Sequence, residues 1–496
     1  MKQNGRIKFV FSGLLFFFIL LMGCYPEAGY SKGSINQSTM EKRTSLNLTI
    51  YNQNYGLVRE ERTLSLSPDE RQEILFMDVP VQIEPDTVFI ETDNKGIKIL
   101  EQKFEYDLIT QENLLKQYVG KQLKILEENP KTGEKNVLEA ELVSFNNNQP
   151  IYRIKGEIYL GYPGGVVVLP QIPEHMVARP TLRWLLKNAS KKAQEKPVSV
   201  SYLSRGLNWT ANYVLQLNQK GTSGDLFSWV AIENQSGATF QEARIKLMAG
   251  EVQRVEEVRY GVRRMKMAES LDTEAAGSAP FKEESLAEYH LYTLDQPSTL
   301  KDQQTTQISF IEASQIPIQK EFVFLGESGI YQRSQQGFPE VPRPVRVYLK
   351  LENKKEQHLG LPLPQGAIKV YQAGQSAQAE SSAQAEFIGE DRIRHTPVGE
   401  TIRIQTGSAF DVVGVQKQME WQKIGTQVYE SSWQVNLRNR KDEKIVVRVI
   451  EPVQGEWKIL SSSHPYERME AYKIGFTVPV PAKGEETLTY RIRVEF

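Results

Sequence analysis

From about Ser45 onward, apolar and polar residues alternate with a period of two, in short runs separated by turn-forming residues. This is the pattern of half-buried β-strands. In "VSVSYLSRGLNWTANYVLQLN" it places Val198, Val200 and Tyr202, then Trp209, Ala211, Tyr213, Leu215 and Leu217, on one side. In the closing "ETLTYRIRVEF", Leu488, Tyr490, Ile492, Val494 and Phe496 alternate strictly with Thr489, Arg491, Arg493 and Glu495. One buried and one wet face is what an antiparallel sandwich requires.

Two segments depart from this period. "TQENLLKQYVGK" predicts a helix capped by Thr110 and ending before Gly120, with Leu114, Leu115 and Tyr118 on one face. "RPTLRWLLKN" predicts a second, short helix entered at Pro180, with Leu182, Leu185 and Leu186 facing inward and Trp184 packed on a sheet. Between them, two alternating strands flank Asn129-Pro130-Lys131-Thr132-Gly133, a hairpin turn, and closely spaced short strands follow.

The fold expected is therefore mainly all-β: tandem antiparallel β-sandwich domains of the immunoglobulin-like kind, with a small SH3-like barrel and a few short helices. The divisions are an N-terminal β domain over 45–117, the barrel-like segment over 118–175, a central β domain over 197–415 and a C-terminal sandwich over 416–496. Residues 252–300, rich in Ala, Glu and Ser, read as a mobile insertion in the central domain. A repeat of Ser-Ala-Gln-Ala-Glu at 376–380 and 382–386 reads as a lengthened hairpin tip. "VAIENQSG", "VYLKLENKKEQ" and "VNLRNRKDE" each end a strand in Asn before a polar turn, which either convergent turn chemistry or duplication explains.

The N-terminus changes the picture. Lys2, Arg6 and Lys8 precede an apolar run from Phe9 to Met22, as in a secretory signal, and the run is short for a membrane span of about 20 residues. Leu21-Met22-Gly23-Cys24 resembles a bacterial lipobox, with Met22 an uncommon spacer. That resemblance implies a signal peptide over 1–23, cleavage before Cys24 and acylation of it, with 24–44 a flexible tether. Cleavage would move the formal net charge from −1 to −4. Cys24 is the single cysteine, so neither an intramolecular disulfide nor a cysteine-based zinc site is available. A charge so near balance gives no basic surplus for phosphate backbones and argues against a nucleic-acid partner.

Candidate chemistry is sparse. Nucleophile-elbow, zincin, phosphate-loop, dinucleotide and EF-hand motifs are absent, and the five histidines, His175, His290, His358, His395 and His464, have no second histidine at ligand spacing. No cofactor or metal is expected. "GEDRIRH" reads as a charged strand edge with Ile393 inside. Trp209 and Trp229 read as core residues, whereas Trp421, Trp433 and Trp457 lie near strand ends and are the candidates for an exposed sugar-binding platform.

"SYLSRGLNWTANYVLQLN", "WVAIENQSGATFQEARIKLMAGEV", "LPLPQGAIKVYQ", "AEFIGEDRIRHTPVGETIRIQTGSAFDVVG" and "VYESSWQVNLRNRKDEKIVVRVIEPV", in this order, resemble the bacterial domain of unknown function found in mucoidy-inhibitor-like envelope proteins. "IYNQNYGLVREERTLSL" and "LLKQYVGKQL" are similar to the leader domain of its lipoprotein members. Those relatives usually carry a long coiled coil before the β domain, and no sustained heptads occur here. The resemblance supplies no catalytic residues.

The expected function is that of a non-enzymatic protein, lipid-anchored to a bacterial membrane on its extracytoplasmic side, whose β-domains bind envelope proteins by strand addition. The alternatives are a glycan- or peptidoglycan-binding lipoprotein and, third, an enzyme whose cleft joins distant residues such as His395 and acids of another domain.

Overall fold

The computed structural model describes residues 35–91, 96–105, 107–128, 132–162, 164–173, 176–190, 192–254, 281–286, 288–335, 340–374 and 385–496. Among them strands dominate, and Gln111–Gln117 is the one α-helix. Its cap is as expected: the Thr110 side chain accepts a hydrogen bond from the Asn113 amide, and Leu115 and Tyr118 are buried.

Three hydrophobic cores organise the chain. The largest runs from Leu46 to Ile404 and draws together residues of a four-stranded, an eight-stranded and a five-stranded sheet, with Leu349, Leu351, Ile402 and Ile404 from one end of two strands of a nine-stranded sheet. The eight-stranded layer is continuous because Asn47–Tyr51 pairs in parallel with Arg244–Met248, about 200 residues later. The N-terminal β segment is thus part of the central sandwich body, rather than the separate domain expected at 45–117. The second core lies within this nine-stranded sheet, ordered from Glu456–Ser462 to Tyr466–Glu470. The expected boundary at 415/416 falls inside one of its strands, Thr401–Lys423, and the sheet also recruits Gln319–Leu325 and Arg343–Glu352.

The third core, from Leu115 to Ile154, belongs to an inserted domain between strands Ile97–Glu105 and Thr181–Asn188. Its five strands, among them Gln122–Glu128 and Lys135–Asn146 of the expected hairpin, form an open sheet rather than a closed barrel. The two connections are zipped together: Val177 N–H donates to Asp107 O at 3.0 Å, and Ile109 N–H to Val177 O at 3.0 Å.

Other expectations are corrected. Thr181–Asn188 is a strand, not a helix, paired with Arg71–Met77 on one side and Ile97–Glu105 on the other. Leu182, Trp184 and Leu186 are fully buried while Leu185 lies on the opposite face, a period of two that two-sided pairing imposes on helix-favouring leucines. The tether expected over 24–44 gives way from Ile35: Ile35–Ser38 is a strand parallel to Arg71–Met77, and Arg43 begins another. Within 252–300, Phe281–Leu286, Tyr289–Leu294 and Ser298–Leu300 are strands of the eight-stranded layer; 255–280 lie outside the described residues. The repeat joins the antiparallel strands Gly366–Ala373 and Ala385–Ile393, with 375–384 outside the described residues.

The recurrent strand-terminal asparagine proves to be a structural device. Asn188, Asn234 and Asn439 are each fully buried, and in each case the next strand begins six residues later. The Nδ2 group of each donates to the carbonyl four residues ahead, Lys192, Ala238 or Glu443, at 3.3, 2.8 and 2.8 Å. It also donates to Ser67, Leu300 or Pro481, at 2.9, 3.0 and 2.9 Å. These second acceptors lie at or just beyond the end of the strand that pairs with the departing one, since Gln194 faces Leu66, Phe240 faces Leu300 and Ile445 faces Val480. Oδ1 accepts from the amide two residues ahead, at Ser190, Ser236 or Lys441. Asn353, the other residue singled out in the sequence, is equally buried but clamps a different turn, through Leu361, Thr396 and Pro397 carbonyls.

Replacing the donor by an isosteric oxygen would oppose like charges in a buried corner, so Asn439→Asp is expected to cost about 2–4 kcal/mol. Urea unfolding of the full chain at pH 7 reads this loss, and an unchanged midpoint would contradict the clamp.

Candidate functional site

The structure does not bring the three candidate tryptophans together on a surface. Trp433 is 3% and Trp457 9% exposed, both within the second core. The Trp433 Nε1 donates to Ser431 Oγ at 2.8 Å and that of Trp457 to Ala471 O at 3.1 Å. Trp421 is half-buried, donates to Tyr331 O at 3.0 Å and stacks on Tyr429 at 5.8 Å. Position along the strand, rather than nearness to its end, decides the face. Trp209 is buried as expected, whereas Trp229 is 38% exposed because Ser228 and Val230 take the inward positions. Cys24 lies outside the described residues.

The histidines do not assemble a reactive centre. Among the described residues no group of three or more His, Cys, Asp or Glu side chains is placed to hold a metal. His290, on a strand rather than in a mobile segment, pairs with Glu283 at 2.7 Å. His395 Nδ1 accepts from the Gln365 amide at 3.3 Å beside the edge strand Ala385–Ile393, whose Ile393 is buried. His175 lies outside the described residues. Ser463, His464 and Glu486 form a row, with Ser463 Oγ 2.9 Å from His464 Nδ1 and Glu486 Oε1 3.7 Å from Nε2. The last separation is too long for a hydrogen bond, and Ser463 Oγ already accepts from the Thr489 amide at 2.9 Å, which marks a braced turn.

One buried carboxylate stands out. Glu451, fully buried, accepts from Gln416 Nε2 at 3.0 and 3.1 Å and from the Tyr331 hydroxyl at 3.3 Å, and Tyr331 contacts Tyr490 at 3.2 Å. A Cβ at Gly326 would collide with this carboxylate, so glycine there makes room for it. Burial is the main cause that pushes its carboxyl up to about 7, against the hydrogen bonds from Gln416 and the charge of Arg343. Arg343 reaches Gln416 Oε1 and pairs with Glu327 at 3.2 Å instead of meeting Glu451 directly.

The accessible feature that remains is an apolar ribbon on the inserted domain. Residues 158–173 contain no Asp, Glu, Lys or Arg, in a chain that is 24% charged. Leu160 is 80% exposed and Val166 67%, and Ile158, Tyr159, Tyr162 and Ile172 are exposed beside them. All but Ile172, which follows the second strand, sit on the two outermost strands of the sheet, Glu157–Leu160 and Val166–Val168, or on their connection.

The backbone of Glu157–Leu160 is half used. Gly161 N–H bonds Pro150 O at 2.9 Å, and Tyr159 and Glu157 lie opposite Tyr152 and Ile154. Antiparallel alternation then turns the N–H and C=O groups of Ile158 and Leu160 to the free edge. The uncharged stretch was visible in the sequence; that it forms an open edge was not. No helix among the described residues is long and apolar enough to cross a membrane. Comparison with known protein families and with curated proteins finds no match to this chain.

Because the Glu451 carboxyl titrates higher folded than unfolded, its protonation stabilises the fold fully below about 4.3, and this contribution is lost as the pH rises through about 7. Between pH 4 and pH 8, Glu451→Gln should therefore gain on the wild type by about 3 kcal/mol in urea unfolding. An equal difference at both pH values would refute the assignment.

Proposed function

We propose that this chain is a non-enzymatic, lipid-anchored protein of the extracytoplasmic side of a bacterial envelope, which holds protein partners by strand addition on its inserted domain. The observation that carries the reading is the edge strand Glu157–Leu160, all four residues exposed, with Ile158 and Leu160 offering apolar side chains and unpaired backbone together. Exposed apolar edges are normally blunted by charge, proline or cover; here the strand holds no proline and its one charge is Glu157 at the start, which leaves Ile158–Leu160 unblunted. Its fitting partner is an extended segment with apolar residues at alternate positions. The anchoring half of the proposal is supported by the signal-like N-terminus and the lipobox-like residues ending at Cys24, and by the resemblance to envelope lipoproteins.

Crosslinking in intact cells, followed by purification of the tagged protein, tests both halves. Cys24→Ala should move the protein out of the membrane fraction. Ile158→Pro removes an outward-facing N–H without touching the internal ladder, so it should lower recovery of the bound partner at least tenfold with an unchanged circular dichroism spectrum. Equal recovery with Ile158→Pro, or membrane retention of Cys24→Ala, would overturn the corresponding half.

A further inference from the structure

A second surface lies on the C-terminal sandwich. Four adjacent strands of the nine-stranded sheet, Glu456–Ser462, Glu485–Glu495, Val428–Asn439 and Thr401–Lys423, line an open groove of about 530 Å³. Its floor is set by pairing: Gln434 lies opposite Thr489, and Ser432 opposite Arg491. Both flanks are interrupted at this level. The register shifts between Gln418 and Glu420 on one side and between Ile459 and Ser461 on the other, leaving Met419 and Leu460 as extra residues. A bulge bends its strand and increases local twist, and two of them astride the same pair of strands make the outer face concave.

The chemistry of the lining is narrow. Ser432, Ser461 and Thr489 bring hydroxyls and Gln434 a carboxamide, and those of Ser461, Thr489 and Gln434 have no hydrogen-bond partner among the described residues. Arg491 and Glu420 pair at 2.9 Å, and Ser432 Oγ donates to Glu420 at 3.4 Å, so the charged groups offer fixed donors and acceptors with little net charge. Met419, 46% exposed, adds a polarizable apolar contact. The two floor strands are hydrogen-bonded on both sides, so the floor itself offers side chains and no free backbone edge. The volume is that of a small-ligand site.

We infer that this groove binds an oligosaccharide, whose hydroxyl groups match the short donors and acceptors of the floor and whose C–H faces match the Met419 thioether. It stands apart from the inserted domain, so it holds whether or not strand addition does.

The test titrates the full chain with chitotetraose, cellotetraose and maltotetraose by calorimetry, and follows tryptophan fluorescence, because Trp433 borders the groove from beneath. At least one of these oligosaccharides should bind with a millimolar or tighter dissociation constant. Ser432→Ala combined with Gln434→Ala should weaken binding at least tenfold, and Met419→Ala about threefold, each with an unchanged unfolding midpoint, while Ile158→Pro leaves affinity unchanged. Absence of binding by all three at 10 mM (roughly the weak end of useful recognition), or equal affinity in the double variant, would overturn the inference.

Discussion

A chain that builds packed β-layers must repeatedly leave one strand pairing for another, between sheets after Asn188 and Asn234 and within the nine-stranded sheet after Asn439, and at each departure its backbone groups lose their ladder partners in a place that water does not reach. The fold meets this constraint three times in one way. A single carboxamide at Asn188, Asn234 or Asn439 supplies two donors and an acceptor at a buried corner, and fastens the corner to the end of the strand that its own departing strand will pair with. Asparagine suits the position because it offers both kinds of hydrogen-bonding group without a charge that would need pairing. The common six-residue spacing ties the register of the departing strand to that of its neighbour, and register decides which side chains enter the core.

Two buried acids show how differently the cores treat charge. Glu60 and Arg62, two residues apart on Tyr55–Leu66, both point inward, and a 2.9 Å ion pair joins them. Arg62 crosses to the opposite sheet, donating to the Ser38 and Met77 carbonyls at 3.1 and 2.6 Å and lying 3.8 Å over the Phe76 ring. Tyr202 donates to the second Glu60 oxygen at 2.9 Å. Each partner compensates the other, and breaking such a pair leaves an uncompensated charge. Glu451 has donors but no cation in contact, so burial shifts its proton affinity instead, and the neighbouring Tyr331 hydroxyl is held well above the usual phenol range by that same burial and by Glu451 itself.

Strand alternation was legible wherever both faces of a strand differ clearly in polarity. Glu485–Glu495 follows the sequence pattern from Leu488 to Glu495, and Val428–Asn439 follows a period of two from Ser431 on, while Glu430 beside it is buried as well. The helix at Gln111 was legible because a cap and a spaced apolar face coincide. Thr181–Asn188 was not, because a strand paired on both sides can be rich in leucine, whose local preference is helical. Phe281–Leu286 and Tyr289–Leu294 were hidden by composition: they carry charged residues, of which Glu283 is half-buried beside His290, and Phe281, Leu291 and Tyr292 alone are buried. Domain limits were the least legible, since the ladder between Asn47–Tyr51 and Arg244–Met248 depends on partners far apart in the chain. For the tryptophans, the sequence marked the strands, but which parity faced inward was set by the opposing sheet.

The two candidate surfaces differ in what they demand of the fold. The groove on the C-terminal sandwich is made by bulges in strands that also carry core residues such as Trp433 and Tyr490, so its shape follows from the packing beneath it. The apolar ribbon sits on a domain with its own core, joined to the body through two zipped connections near Asp107 and Val177. No corner asparagine or shared ladder depends on it. On an inserted domain of independent core an open edge strand is free to vary in sequence without disturbing the sandwiches that support it.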